Sequence, residues 1–572
     1  MKAFGTPNLA EPAYAQCLGP REAGFCLTYG AGFGTPEPFD VANSRALVLI
    51  GSHLGENMHN TAVQDFAEAV GGNAYIVVVD PRFSVAASKA NRWLPIRPGA
   101  DLALLLAWMN VLLAENLVDN DYLARYAVGM DELRSYVHPF TPEWAEQECE
   151  IPAGLIRETI REVARQRPHC LVHPGRHVVW HGNDTQRVRA VAILNALLGS
   201  YGRDGGILIP NKVNLAEPKG PAFPKPARGP ADGGGTLYPF GSGTTIGLRD
   251  ATITGKPYPI HAWIVYATNL LASMPNTAQT LDAIHKLKLL VAIDTMPAEI
   301  TGWADVVLPE CTYLERYDDF RTGAFPQPFI QLRQPVTPPL FDTKPGWWIA
   351  REMANRLGLN AYFNWQDIEE YLSGRLDGTG VTLEQLKQDG TAILSGGPMT
   401  IHQKPGFRFA TPSGKIEIHS ARLAAAGFDA MPRYTPPEDP PEGFARLIYG
   451  RSPVHSFSRT QNNRLLSRIQ DENEIWVHPA MAAASGLSTG DRVWLVNQDG
   501  VRTEFPIKVR VTERIRKDCV YTVHGFGHTD RRLRRAYGKG ASDTSVITRY
   551  AVDPLIGSSG MRVNFVRLEK DA

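Results

Sequence analysis

One pattern recurs in this chain and restricts its fold more than any other feature. Residues 45–50 (RALVLI) form an apolar run that ends in a glycine-bearing loop, GSHLGEN. A helix-like stretch, NTAVQDFAEAVGG, follows, and then a second apolar run, YIVVVD, closed by Asp80. Far along the chain, HAWIVYATNLLAS and LKLLVAIDTMPAE repeat the arrangement, and Asp294 closes the second run. Strands this apolar are too hydrophobic to face water and suit a parallel sheet covered on both faces. The interval from each first strand to its acid is close to the roughly 30 residues of a βαβ unit. Two such units in one chain suggest two related half-sites.

The neighbouring segments extend the pattern. Helices are predicted over residues 101–117 and 152–166, then a strand over HCLVHPG ending in a loop with Arg176, then a helix over DTQRVRAVAILNALLG. Alternation of this kind favours a doubly wound sheet. Residues 215–245, rich in Pro and Gly, are predicted to be a long ordered loop or a domain junction. FATPSGKIEIHS looks like a turn and strand leading into the linker TPPEDPPEG. From near residue 440, RLIYG, EIWVH, DRVWLVNQ, EFPIKVRVT and CVYTVHG are short β-rich runs separated by turn signals, the spacing of a small β-barrel.

Bulk properties narrow the function. The 572 residues suffice for two to four domains. A formal net charge of +0 implies no basic face, so nucleic acid is a poor partner. The apolar stretch LALLLAWMNVLLAENL suits a buried helix better than a bilayer span. Cysteines at 17, 26, 149, 170, 311 and 519 form no CxxC pair, so neither a zinc site, an iron–sulfur cluster held by this chain alone nor a disulfide framework is expected. All but one are expected to be small buried hydrophobes. The opening, MKAFGTPNLAEPAYAQC, lacks the parts of a signal peptide and resembles the interior of a folded protein.

Several residues carry candidate chemistry. An acid at the carboxyl end of a parallel strand accepts hydrogen bonds from a ribose or a guanine edge, and the preceding loop offers N–H groups to a phosphate. Asp80 and Asp294 fit that role; the plain alternative is an acid that caps a turn. Cys17, in AQCLGPREAGF, lies before an apolar, helix-like stretch, where a thiolate serves as nucleophile or soft-metal ligand. Arg176, in HPGRHVVWHGND, suits an oxyanion or a structural ion pair. His173, His177 and His181 share that segment as proton donors or as buried structural histidines.

Together, AQCLGPREAGF, VLIGSHLGENMHN, VVVDPRFS, IRPGADLAL, HPGRHVVWHGNDTQR, ATNLLAS, IDTMPAEITGWADVVLPECTYLER, TPSGKIE, GRSPVHSFSRTQNN and HGFGH resemble the molybdopterin oxidoreductases of the dimethyl-sulfoxide-reductase superfamily. The branch they resemble is the polysulfide and thiosulfate reductase catalytic subunits. The resemblance implies an α/β fold: two Rossmann-like parallel-sheet domains plus a C-terminal β-barrel, double-psi-like, domain. Residues 1–34 would be a truncated N-terminal segment with the metal-ligand loop, 35–212 the first cofactor-binding domain, 213–438 the second with part missing, and 439–572 the dinucleotide-binding barrel.

It further implies a molybdenum or tungsten ion held by two molybdopterin guanine dinucleotides, one per half-site. Cys17 matches the family's protein ligand to the metal, and Arg176 its arginine near the metal. Gly51, Ser52, His53, Gly55, Glu56, Asn57, Asp80, Arg82, Gly99, Asp101 and Gly175 match contacts to one cofactor. Thr268, Asn269, Asp294 and Thr295 match contacts to the other, and Arg451, His455, Thr460, His524 and Asn564 look like pterin or phosphate contacts. The family's usual front domain, with its 4Fe–4S cluster, is expected in a full-length protein but is not ligated by this chain. Its loss would expose apolar surface and lower solubility. The implied reaction is reduction of polysulfide or thiosulfate in anaerobic respiration. Electrons would come from an iron–sulfur subunit and a membrane quinol-oxidising subunit, on the periplasmic or extracytoplasmic face. The alternatives are the same cofactor acting on tetrathionate, arsenate or another oxyanion, and a metal-free electron-transfer scaffold.

Overall fold

Four short parallel strands make the first sheet: β1 (Ala46–Ile50), β2 (Tyr75–Val79), β3 (Arg92–Leu94) and β4 (Cys170–Pro174), in the order β3-β2-β1-β4. The computed structural model describes residues 1–32, 37–52, 54, 60–323 and 327–571. Every side chain of β1 is buried, as expected of a central strand built from Ala, Leu, Val and Ile. Each Leu, Val or Ile side chain contributes about 1.5–3 kcal/mol on burial.

The helices of this unit include α1 (Gly19–Tyr29), α2 (Asn60–Gly71), α3 (Asp101–Ala114), α4 (Ala153–Arg165) and α5 (Asp184–Leu197). Helix α3 stops at Ala114, short of the expected residue 117, because the chain turns through Asn116 at φ +53°. Helix α5 is buried along its whole length, against α1 on one side and β4 on another. Its Asn195 serves β4, accepting from Val172 N–H at 3.0 Å and donating to Val172 O at 2.8 Å. That pair satisfies the edge of β4 that no strand covers.

Residues 401–431 return to this unit. Ile416–Glu417 pairs in parallel with Ala127–Val128, and Ile401, Phe409, Ile416, Ile418 and Met431 join the same core as β1. The expected strand within KIEIHS is therefore only two residues long, and it serves the first unit.

The second sheet is parallel and smaller: β5 (Ala262–Tyr266), β6 (Leu289–Asp294) and β7 (Val306–Pro309), in that order. Helix α6 (Thr245–Thr254) packs on α7 (Thr277–Lys286), and Trp263 Nε1 of β5 donates to Thr252 Oγ1 at 3.1 Å. Trp263, Val265 and Leu290 share a cluster with Ile284 of α7. Val291 and Ile293 point to the opposite face, where α8 (Gly346–Arg356) supplies Ile349. The Pro/Gly-rich segment before α6 forms neither helix nor strand over residues 215–244.

The repeat is visible in the backbone. Gly51 follows β1 at φ +52° and donates its N–H to Val79 O at 2.9 Å. Ala267 follows β5 at φ +52° and donates to Ile293 O at 2.9 Å. The same left-handed turn thus opens both half-sites.

The C-terminal region is a closed barrel of β8 (Ala445–Gly450), β9 (Glu474–Val477), β10 (Arg492–Asn497), β11 (Ile507–Val511), β12 (Cys519–Val523) and β13 (Phe565–Lys570), in the order β8-β12-β9-β11-β10-β13. Pairs β8–β12 and β9–β11 are parallel and the others antiparallel. Closure leaves no free edge. The barrel docks on the first unit through Phe83 N–H to Arg514 O at 2.8 Å. It meets the second unit through Asn276 N–H to Ile547 O at 2.8 Å. Among the described residues no helix is long and apolar enough to cross a membrane.

Candidate cofactor and substrate site

The chain lays β1, β2 and β3 in one direction and then returns to place β4 on the other side of β1. The crevice beyond the carboxyl ends of two such strands is where open α/β sheets bind ligands. Gly51 and Gly175 stand there. A Cβ on Gly175 would lie 2.1 Å from Ile50 O and 2.4 Å from Gly51 O, so the two backbones can meet only at a glycine.

A pocket opens between this edge and the barrel. Gly51, Asp80, Arg82, Gly99 and Asp101 line it from the sheet side, Tyr449, Tyr521 and Arg562 from the barrel. Asp80 is buried, and its Oδ1 accepts the Arg82 N–H at 2.8 Å. The Arg82 guanidinium lies 4.6 Å from the Tyr521 ring centre, a cation–π contact. Gly99, at φ +91°, holds the chain close to His181; its Cβ would stand 3.3 Å from Nδ1. Burial pushes the Asp101 carboxyl up in spite of Arg187. Burial likewise lowers Arg562, which feels Tyr449, Asp80 and Asp101. Ser52 Oγ is buried and has no hydrogen-bond partner among the described residues. His53, Gly55, Glu56 and Asn57 lie outside the described residues.

A second cluster surrounds Cys17. This cysteine sits in a π-helical turn, Tyr14–Leu18, that runs directly into α1. Such turns are rare and concentrate at functional sites. Arg176 Nη1 lies 3.8 Å from Cys17 Sγ, and Arg176 Nη2 lies 3.5 Å from Glu37 Oε1. Burial opposes the Arg176 charge, but Cys17 and Glu37 outweigh it and raise its pKa. Arg451 interacts electrostatically with both Cys17 and Arg176, though burial dominates and lowers its pKa. The Trp180 indole donates to Gln16 O and fixes the turn from the other side.

Glu37 is the residue that sequence reasoning missed here. Burial would raise its carboxyl, but Arg21, His173 and Arg176 bring it down to about 2. Burial likewise takes His173 down to about 4, so at neutral pH it is an uncharged neighbour of Glu37. His181 is pushed well below its ordinary value by burial and three arginines. His173 is the buried-histidine alternative and His181 is half-buried, and neither is a ready proton donor; the His177 side chain lies outside the described residues. No spacing signal marks Glu37, an acid between two prolines ahead of β1.

In the second unit Thr268 and Asn269 follow the Ala267 turn. Asn269 Nδ2 donates to Glu299 Oε2 at 2.6 Å, while its Oδ1 is buried without a partner among the described residues. The barrel's His528 reaches the same carboxylate, Nδ1 to Oε1 at 3.0 Å. Burial opposes the Glu299 charge, but His528 and backbone N–H groups hold it at about 2. Asp294 Oδ1 accepts the Thr295 N–H at 2.7 Å, so it caps its own turn here, and Thr295 is exposed.

The barrel residues divide. The Arg451 guanidinium lies 3.6 Å from the Phe457 ring centre. His524 Nδ1 lies 2.8 Å from Asp543 Oδ2; burial opposes its charge, Asp543 prevails, and its pKa is raised. His455 has both ring nitrogens engaged, with Thr460 Oγ1 at 3.1 Å and Gln470 O at 2.8 Å. Asn564 donates to Arg549 O at 2.8 Å and Met561 O at 2.9 Å and accepts the Arg549 N–H at 3.1 Å. The side chains of His455, Thr460 and Asn564 thus brace the barrel's own loops. All six cysteines are free; Cys17 and Cys26 are half-buried and the others buried.

Residues 1–356 match the family model for molybdopterin oxidoreductases. The chain belongs to that family. Residues 445–564 match its molybdopterin dinucleotide binding domain, which takes in most of the barrel. Among curated relatives of this oxidoreductase, the thiosulfate reductase molybdopterin-containing subunit PhsA of Salmonella typhimurium is 33% identical over 568 residues, spanning 92% of this chain and 73% of that protein. Dimethyl sulfoxide reductase DmsA of Escherichia coli is 28% identical and spans 96% of this chain and 74% of its own. The solved structure of acetylene hydratase from Pelobacter acetylenicus superposes with a TM-score of 0.84 at 23% identity, over 100% of this chain and 83% of that one. It has the same α/β architecture with a C-terminal barrel.

The two family matches support a molybdenum or tungsten molybdopterin guanine dinucleotide as the cofactor of this oxidoreductase. The residues fit such a group. Ser52 Oγ and Asn269 Oδ1, one in each unit, are buried polar atoms without partners among the described residues. Atoms of that kind are costly unless a ligand or water satisfies them. The glycine crossing at Gly51 and Gly175 exposes backbone where a phosphate needs it, and a half-buried thiol is a suitable soft-metal donor.

Proposed function

We propose that this molybdopterin oxidoreductase is the catalytic subunit that cleaves the S–S bond of thiosulfate or polysulfide. It would take two cofactor nucleotides, one at each half-site, with Cys17 as the protein ligand to the metal. The observation that carries the reading is the Arg176 guanidinium 3.8 Å from the Cys17 sulfur, with Arg451 interacting electrostatically with both. Two arginines around one thiol make a cationic recess suited to a small dianion. The relative named as a thiosulfate reductase supports the choice of substrate.

For thiosulfate the balance is S2O3(2−) + 2 e− + 2 H+ → HS− + HSO3−. When bound, the cofactor supplies the two electrons. Arg176 holds the anionic sulfur and steadies the charge that grows on it as the S–S bond breaks. Arg451 keeps the recess cationic, and the half-buried Trp180 and buried His173 narrow it against water. By family analogy, electrons arrive from an iron–sulfur subunit and a membrane quinol-oxidising subunit on the extracytoplasmic face. Names such as thiosulfate reductase subunit PhsA support a multi-subunit assembly.

The test is a substrate panel with reduced viologen, using protein made in cells that produce the cofactor. Thiosulfate should yield sulfide and sulfite in equal amounts, and Arg176→Ala should lower kcat/KM by about 100-fold or more, as for loss of a charge-stabilising donor. Turnover of arsenate or another oxyanion with no sulfur compound reduced would overturn the substrate. Protein free of both molybdenum and tungsten would favour the electron-transfer scaffold.

A further inference from the structure

The arginine beside Cys17 does not stand alone. Arg176 leaves the end of β4 in a short turn, and among the described residues its guanidinium meets Cys17 Sγ and the Glu37 carboxylate. Glu37 is itself fixed. Its Oε1 takes the Arg21 Nη1 hydrogen at 2.5 Å, and its Oε2 lies 3.7 Å from His173 Nε2. Arg21 is fully buried, and its Nε and Nη2 both donate to Pro174 O, at 3.0 and 2.7 Å. A single carboxylate thus joins helix α1, the end of β4 and the turn that bears Arg176.

Chain geometry links this clamp to the thiol. Cys17 and Arg21 lie one helical turn apart on the segment that becomes α1, so whatever fixes Arg21 also fixes the turn that carries Cys17. Arg21 and Arg176 are like charges meeting on one oxygen. Without the carboxylate between them they repel, and Arg176, whose side chain is 19% exposed, is the one free to swing toward solvent. A guanidinium held by a second group loses the rotamers in which it misses its target, which is how surrounding partners orient reactive groups.

We propose that Glu37 is a positioning residue that holds the Arg176 guanidinium beside Cys17 by bridging it to buried Arg21. The role rests on reading Arg176 as the group that faces the anionic substrate. Glu37 touches neither Cys17 nor the substrate in this scheme; it acts through Arg176.

The experiment compares holoenzyme of the wild type, Glu37→Gln, Arg176→Ala and the double variant. Glutamine keeps the shape and an acceptor oxygen but removes the charge. For Glu37→Gln, kcat/KM with thiosulfate should fall by about 10- to 100-fold, mostly as a rise in KM, with metal content unchanged and with Tm lowered in both backgrounds because buried Arg21 loses its partner. In the Arg176→Ala background the same change should cost less than about two-fold, because its target is gone. The electron paramagnetic resonance signal of the partly reduced metal should differ between wild type and Glu37→Gln and coincide between Arg176→Ala and the double variant. Equal losses of kcat/KM in both backgrounds, or no loss in either, would overturn the proposal. If Glu37→Gln does not fold, Glu37→Asp replaces it in the same cycle, with a smaller loss expected and the same reversal on non-coupling. If the wild type reduces no sulfur anion, the substrate reading has failed. The resonance comparison then still decides whether the clamp exists.

Discussion

Strands β1 and β5 hold the same place in two similar units, yet their surroundings are opposite. No β1 side chain is more than 1% exposed, whereas Ile264 and Tyr266 of β5 are each 50% exposed. The local instructions are shared: an apolar strand, a left-handed turn, a parallel partner ending in an acid. Helices cover both faces of the first sheet. On the second, α7 covers one face and α8 only the part of the other that lies over β6 and β7. Stability is therefore concentrated in the first unit, and the second presents apolar surface of the kind that interacts or aggregates. A shared pattern sets backbone geometry; burial depends on what the rest of the chain brings to it.

The largest test of that contrast is truncation of matched core positions. Leu49→Ala in β1 should cost about 2–5 kcal/mol, the usual range for a fully buried leucine. Ile264→Ala in β5 should stay within about 0.5 kcal/mol, as for an exposed site. Urea unfolding of both variants measures the difference. Equal losses would mean that the face of β5 is covered in solution.

Gly175 tests the crevice. A methyl group there meets two carbonyl oxygens at 2.1 and 2.4 Å, neither of which belongs to a side chain that could move away. Gly175→Ala should therefore cost about 1–3 kcal/mol and spread the ends of β1 and β4. The release of bound guanine nucleotide on heating, at lower temperature than in wild type, is the direct measure. An unchanged release profile would remove this crossing from the nucleotide site.

Acid should strike the first unit through His173. Its pKa of about 4 in the folded chain lies below the ordinary 6.5, chiefly through burial. The unfolded chain therefore binds this proton first, and the stability from neutral His173 is intact above pH 6.5 and lost as pH falls toward 4. Glu37, at about 2 against an ordinary 4.5, adds a loss at lower pH, complete only below about 2. His173→Gln should flatten the decline in Tm between pH 7 and 5 relative to wild type. Parallel curves would mean that His173 does not carry the acid sensitivity.

Much of this was written in local sequence. RALVLI, YIVVVD and LKLLVAID became strands because their apolar residues demand burial, and Asp80 and Asp294 stand at strand ends because the pattern stops there. The barrel runs were legible from turn spacing. What was not legible depends on contacts distant in sequence. Glu37 meets Arg176 across 139 positions, and Ile416 finds Ala127 across far more. Neither contact has a periodicity to announce it, since each is chosen by packing after the sheets have formed. The barrel residues show the converse. His455 and Asn564 match a family motif, but their polar atoms are consumed by neighbouring loops, and a motif does not say which polar atoms remain free.

The smallest test is also the most local. Gly51 and Ala267 occupy the same left-handed turn, and only one of them is the residue that turn prefers. An L-residue at φ near +50° carries a steric cost that glycine avoids, on the order of 1 kcal/mol. Gly51→Ala should lose about that much. Ala267→Gly should gain somewhat less, because glycine also adds entropy to the unfolded chain. The pair is best measured as shifts in urea midpoint with unchanged m-values. If Ala267→Gly destabilises instead, its methyl group must make contacts that outweigh the turn. The two half-sites would then share a backbone shape without sharing the reason for it.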